Sequence, residues 1–241
     1  MEIEGKRVLV SGAGRGLGRA IVAAFAAAGA REVVAGTRKP EVREQLKMLA
    51  PNVTPVQLDV TSDADVEAVA QIGPFDILIN NAGFAGFGNP LTMSFADIEK
   101  EVSVNYLGVM RLTRAIAPGM VAQGDGMIVS IATAFAKVNL PLIGTYCATK
   151  SALLSLGQAL RAHLVGTGVR VITVLPTTID TDMSSGADVP KMTKEFVADE
   201  ILNAIRNEAH DPPIGEEAER VFAGLRSDPA GLEKMLSQFR A

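Results

Sequence analysis

The stretch "GTYCATKSAL", residues 144 to 153, places a tyrosine and a lysine four residues apart in a chain with only two tyrosines. On a helix, residues i and i+4 share a face, so the Tyr146 hydroxyl and the Lys150 ammonium can meet in one small volume. A phenol that titrates near pH 10 when unperturbed becomes a usable proton donor and acceptor closer to neutrality if a fixed positive charge stabilises the phenolate. The same spacing occurs on many solvated helices, so the pair gains meaning only from what surrounds it.

A second chemical feature follows the first apolar run. In "SGAGRGLGRAI", residues 11 to 21, Gly12, Gly16 and Gly18 fall in a G-x-x-x-G-x-G spacing. A glycine turn between a strand and a helix lets backbone amides approach a pyrophosphate, and the helix N-terminus adds partial positive charge. Leu17 stands where the more familiar G-x-G-x-x-G spacing would need its third glycine. The second strand of such a unit ends at the adenosine ribose, where an acidic residue favours an unphosphorylated 2′-hydroxyl. Here "VVAGTRKP" offers Thr37 and Arg38 instead, with Arg15 of the glycine turn within reach of the same place. A hydroxyl and guanidinium groups suit a 2′-phosphate, which favours NADP(H) over NAD(H).

The elements that must hold these residues are legible in the apolar pattern. Short β-branched runs at 7–10, 32–36, 53–59, 75–80, 127–132 and 169–175 read as six strands. Their near-continuous apolar content suits strands buried on both faces. The Ala/Leu-rich stretches between them, near 17–28, 40–49, 63–72, 94–117, 145–166 and 193–208, supply the crossovers. The expected fold is α/β, a doubly wound parallel sheet with helices on both faces, and the expected N-caps are Thr61 or Ser62 and Ser94. The chain is expected to form one domain over its 241 residues, with 210–241 a short helical appendage after the change of composition at "HDPPIGEEAER". A net charge of −4 without basic blocks argues against nucleic acid as the main ligand. One cysteine and two distant histidines make a poor metal site, so no metal is expected. With no long apolar run, the expectation is a cytoplasmic protein without a membrane segment.

Taken in order, the glycine turn, "NNAG" at 80–83, Asn105 and Tyr146-x-x-x-Lys150 make the chain resemble the short-chain dehydrogenase/reductase family over roughly residues 5 to 208. The resemblance implies that Tyr146 is the general acid in carbonyl reduction and the general base in alcohol oxidation. It implies that Lys150 lowers the tyrosine's pKa and binds the nicotinamide ribose, and that Asn105 helps hold a water in a proton relay. Asp59 and Val60 match the family's adenine-binding pair, and Asn81, Ala82 and Gly83 its turn against the cofactor. Ile179 and Thr181, after Pro176, stand where the family contacts the nicotinamide carboxamide.

Two positions depart from the family pattern. Thr133 occupies the place of a serine that polarises the substrate carbonyl, and its extra methyl restricts how the hydroxyl is aimed. Ser130, three residues earlier on the strand, points to the other side. Pro176-Thr177 replaces Pro-Gly and removes the loop's freest residue. Phe84, Phe87, Phe135, Val138, Leu142, Ile143 and Met183 suggest an apolar crevice for a ketone, aldehyde or secondary alcohol, in a fairly open site. The alternative is a non-catalytic NADP-binding sensor on the same fold. A nucleotide-sugar enzyme would need a larger C-terminal domain. Family members associate through the helices at 94–117 and 145–166. Without the usual last-strand turn, and with Glu216, Glu217 and Glu219 near that region, a homodimer is expected over a tetramer.

Overall fold

The computed structural model describes residues 1–239. Its strands are β1 (Arg7–Val10), β2 (Glu32–Thr37), β3 (Val53–Gln57), β4 (Ile77–Asn80), β5 (Gly126–Ile131), β6 (Val169–Pro176) and β7 (Pro213–Ile214). They form one parallel sheet in the order β3-β2-β1-β4-β5-β6-β7. The helices are α1 (Gly16–Ala27), α2 (Arg43–Lys47), α3 (Asp63–Gln71), α4 (Phe95–Val102), α5 (Gly108–Gln123), α6 (Gly144–His163), α7 (Lys194–Arg206), α8 (Glu216–Ser227) and α9 (Pro229–Leu236). This is the doubly wound α/β arrangement that the alternating pattern predicts.

Side-chain alternation explains why the strands read as continuous apolar runs. Val8, Val10, Val33, Ala35, Ile77 and Ile79 pack beneath α1 and α7 on one face of the sheet. Leu9, Val34, Leu78 and Ile128 pack against α3 and α5 on the other. With helices on both sides, neither face of a strand can be polar. Burying each such aliphatic side chain is worth about 1.5–3 kcal/mol. Ser62, Ser94 and Thr193 cap α3, α4 and α7, their hydroxyls each accepting an amide of the first turn.

Four features differ from the sequence expectation. The strand β7 is two residues long, pairing Pro213 and Ile214 with Leu175 and Pro176, and is too short to carry a period. The helix expected to stop at 117 passes Pro118 and ends at Gly124, which takes the left-handed conformation (φ 69°). The helix expected over 40–49 is a 3₁₀ turn followed by the short α2. The helix expected over 94–117 contains a π-turn at Ser103–Leu107, between α4 and α5. Such a turn adds a residue without breaking the axis, and apolar periodicity does not reveal it. Among the described residues no helix is long and apolar enough to cross a membrane.

Candidate active site

The strand order reverses between β1 and β4, and a cleft of about 480 Å³ opens at their carboxyl ends. Two side chains tie the neighbouring turns together there. The Ser11 hydroxyl accepts the amides of Asn81 and Ala82, and the Asn81 amide group donates to the carbonyls of Ser11 and Gly12. Gly12 has φ 66°, and a Cβ on it would lie 2.8 Å from Ala82 Cα. A Cβ on Gly18 would lie 2.2 Å from the Gly12 carbonyl, so its absence lets α1 start against the turn.

The first turn of α1 has neither a side-chain cap nor an acidic residue, unlike that of α3, α4 or α7. Its amides are left to an anion, and Gly12, Arg15, Gly16, Leu17 and Gly18 line the cleft around them. Farther out lie Thr37, Arg38, Asp59 and Val60. Arg38 is 3.8 Å from Asp59 and largely exposed. Burial is the largest single influence on Asp59 and pushes its pKa up. The hydroxyl and amide of Thr61, with Arg38, outweigh it and hold the carboxyl below its ordinary value. Arg15 forms an ion pair at 2.7 Å with Asp182 across the mouth of the cleft. Lys39, which the sequence reading passed over, lines the same end. The basic run "TRKP" was the signal for it.

At the other end of the cleft are Asn81, Ala82, Gly83, Thr133, Tyr146, Lys150, Pro176, Ile179 and Thr181. Tyr146 and Lys150 project from the first two turns of α6. The Lys150 ammonium lies 5.5 Å from the centre of the Tyr146 ring and donates to the Ile131 carbonyl at 2.7 Å. Burial lowers the Lys150 pKa to about 8. Burial chiefly, then Cys147 and the Glu101 carboxylate, push the Tyr146 phenol well above its ordinary range. The ammonium thus lies over the Tyr146 ring with the Ile131 carbonyl as its acceptor. The Thr133 hydroxyl donates to the Pro176 carbonyl at 3.0 Å, while Ser130 does not line the cleft. Asn105, in the π-turn, also lies behind the cleft wall. Its oxygen accepts the Phe84 amide, and its NH₂ donates to the Phe84 carbonyl and the Thr149 hydroxyl.

Beyond Tyr146 the wall is apolar. Phe87, Phe135, Leu142, Ile143 and Met183 line it as the sequence suggested, joined by Leu140, Val189, Leu236 and Phe239. Phe84 and Val138 do not. Phe84 packs behind the loop with Lys100 over its ring at 4.0 Å, and Val138 is buried among α8 and α9. The C-terminal segment, expected only as a short helical appendage, takes part in the site. Ala218, Val221, Leu232 and Leu236 form a core with Phe135 and Cys147, and Glu217, Leu236 and Phe239 reach the cleft.

Comparison with known proteins places this geometry. Residues 6–190 match the model of the short chain dehydrogenase family. The chain belongs to the short-chain dehydrogenase/reductase family. Over 185 residues it is 37% identical to D-erythrulose reductase of Gallus gallus, covering 76% of this chain and 75% of that protein. Over 229 residues it is 33% identical to the ketoacyl reductase HetN of a Nostoc species, covering 89% and 80%. A short chain dehydrogenase from Burkholderia cenocepacia, solved in complex with NADP, superposes with a TM-score of 0.92 at 35% identity, covering 98% of this chain and 99% of that one.

As a member of this family the protein is an oxidoreductase that uses a nicotinamide cofactor and acts on a small molecule. The cleft fits such a cofactor. It has an uncapped helix N-terminus for the pyrophosphate, glycines where a Cβ would obstruct, and basic side chains at the adenosine end. Sequence reasoning also missed Glu101, a buried carboxylate on α4. Glutamate on an otherwise amphipathic helix gives no sign that it faces inward.

Proposed function

We propose that the protein is an NADPH-dependent carbonyl reductase acting on an apolar ketone or aldehyde, and on the matching secondary alcohol in reverse, with Tyr146 as the acid and base. The observation that carries the reading is the juxtaposition of Thr133, Tyr146 and Lys150 with a wall of Phe87, Phe135, Leu142 and Leu236 in one cleft. That wall would leave a sugar's hydroxyl groups without hydrogen-bond partners, whereas an alkyl or aryl ketone buries against it. The relatives named as reductases of D-erythrulose and of ketoacyl compounds support the carbonyl direction.

Gly12, Gly16 and Gly18 with Leu17 would hold the pyrophosphate, and Thr37, Arg38 and Lys39, with Arg15, the phosphorylated ribose. Asp59 and Val60 would meet the adenine, and Asn81 to Gly83, Pro176, Ile179 and Thr181 the nicotinamide half. When bound, the cofactor supplies the hydride that reduces the carbonyl carbon and accepts it in the reverse direction. The Tyr146 hydroxyl gives its proton to the carbonyl oxygen and leaves a phenolate. Lys150 stands beside that developing negative charge. The Thr133 hydroxyl rotates from the Pro176 carbonyl to donate to the substrate oxygen. Asn105 positions the loop at Phe84 beside the site.

A panel of apolar ketones, aldehydes and polyol sugars, followed by loss of NADPH absorbance, tests the reading. Turnover of apolar ketones above that of sugars supports it. NADPH binding without turnover of any carbonyl would favour a cofactor-binding sensor, the reading that the engaged Thr133 hydroxyl would then explain. A homodimer through α4, α5 and α6 is the proposed assembly, and light scattering giving a mass of four chains would reject it.

A further inference from the structure

Thr177, the residue after β6, is only 7% exposed and lines the cleft. Its hydroxyl has no hydrogen-bond partner among the described residues, yet it is not sealed from solvent. The surface it keeps therefore faces the cleft. The other threonine hydroxyls at this end are placed differently. That of Thr133 donates to the Pro176 carbonyl and accepts the Phe135 amide. That of Thr181 caps the turn at Asp182–Ser184, and Thr178 is half-buried.

The covalent chain fixes where the free hydroxyl stands. The Pro176 carbonyl belongs to the peptide that Thr177 completes, and the Thr133 hydroxyl lies 3.0 Å from its oxygen. The hydroxyls of Thr133 and Thr177 thus flank one planar peptide group. In the proposed reaction Thr133 donates to the substrate's carbonyl oxygen, which places Thr177 for a group close to that oxygen.

Water decides what that group must be. In the open cleft, solvent can serve the Thr177 hydroxyl. NADPH and an apolar ketone displace it, and a hydroxyl left unpaired in a closed apolar site is costly. A valine would fill the same space without that cost. The cost also disappears if the substrate brings an oxygen of its own. We infer that Thr177 is a specificity-determining residue that hydrogen-bonds a second oxygen of the substrate, a hydroxyl or carbonyl on the carbon beside the reacting one. A threonine hydroxyl both donates and accepts, so it serves either oxygen. The wall of Phe135, Leu142 and Leu236 has no hydrogen bond for further ones, so the rest of the skeleton is apolar. The inference rests on the reductase reading and narrows its substrate from plain ketones to those with a neighbouring oxygen.

The test is a matched pair, α-hydroxyacetophenone and acetophenone, reduced by the NADPH-saturated protein. Their carbonyls differ in intrinsic reactivity, so the readout is how the ratio of the two kcat/KM values changes between wild type and variant. Thr177→Val, equal in shape but without the hydroxyl, should lower that ratio about tenfold, through KM more than kcat, with NADPH affinity kept. Thr177→Ser should hold the ratio, and Thr177→Ala stands in if the valine protein does not fold. An unaltered ratio overturns the inference and leaves the reductase reading in place. A loss of NADPH affinity with the ratio kept also overturns it, because the hydroxyl would then serve the cofactor. Turnover of neither ketone counts against the reductase reading instead. Calorimetric titration of the NADP⁺-loaded protein with the two product alcohols, phenylethanediol and phenylethanol, then decides the contact. Tighter binding of the diol by wild type than by Thr177→Val, with no such difference for phenylethanol, supports it. Equal diol binding by the two proteins, or binding of neither alcohol, overturns it.

Discussion

The amide of Leu142 donates to the carbonyl of Phe239 at 3.2 Å, joining the C-terminal segment to the turn that precedes α6. The segment is anchored at both ends. Arg161 of α6 holds Asp211 through two parallel hydrogen bonds of 2.9 and 2.8 Å, and the buried Leu232 and Leu236 close over Phe135 and Cys147. Phe239→Ala removes one aromatic ring of the wall and leaves the backbone contact in place. Such a change should raise KM for an apolar ketone about tenfold, with kcat and NADPH affinity little altered. An unchanged KM would mean that the segment lies beside the substrate without touching it.

Tyr146→Phe should reduce turnover by about a hundredfold to ten-thousandfold, the usual worth of a general acid, and leave NADPH binding intact. The cofactor end of the cleft lies at α1 and β2, away from the phenol, so the two properties separate. Fluorescence titration with NADPH beside steady-state rates measures both. Retention of a tenth of the activity would remove the assignment. Thr133→Val should also lower kcat, because the valine matches the shape but has no proton to donate, and Thr133→Ser should keep or raise it.

Much of the arrangement was legible because it is periodic or because spacing carries it. The β1–α1 turn, the "NNAG" turn and the Tyr146–Lys150 pair each depend on local sequence, and the sheet brings them to one edge by connection order alone. What escaped depends on contacts distant in sequence. The two-residue β7 exists because Pro213 and Ile214 meet the end of β6. The appendage was readable as helices, yet nothing in its own pattern says that Leu236 faces a tyrosine ninety positions earlier. The Lys150 geometry was missed for a different reason. A four-residue spacing puts two side chains on one face but does not settle where a flexible ammonium points, and here it points to the Ile131 carbonyl.

NADPH should be preferred to NADH. Arg38 is largely exposed and only loosely paired with Asp59 at 3.8 Å, so it can take a phosphate without breaking a strong bond. Arg38→Asp removes that partner and sets two carboxylates beside each other, which should cost on the order of 1.5–3 kcal/mol, tenfold or more in the NADPH/NADH ratio of kcat/KM. Equal use of both cofactors by the unaltered protein would contradict the reading. Lys39→Ala should weaken NADPH more than NADH by a smaller factor, since the lysine is a flexible point charge.

Lys150 should cost the cofactor-free protein stability. Its ammonium is buried with the Ile131 carbonyl as its hydrogen-bond acceptor, and burial lowers its pKa from an ordinary 10.5 to about 8. Between those two values the unfolded chain holds a proton that the folded one has released, so stability rises with pH across this window. Below about pH 8 both states are protonated and the penalty is present in full. Lys150→Met keeps the length of the side chain, removes the charge, and leaves the Ile131 carbonyl without its donor, a loss of about 1–3 kcal/mol. A net gain of about 1–2 kcal/mol is expected at pH 7, raising Tm by roughly 2–8 °C and shrinking as pH approaches 10.5. The same variant should lose nearly all ketone reduction. Calorimetry of both proteins at pH 7 and pH 10 checks the sign, and a variant that melts below wild type at pH 7 would show that the ammonium stabilises the fold.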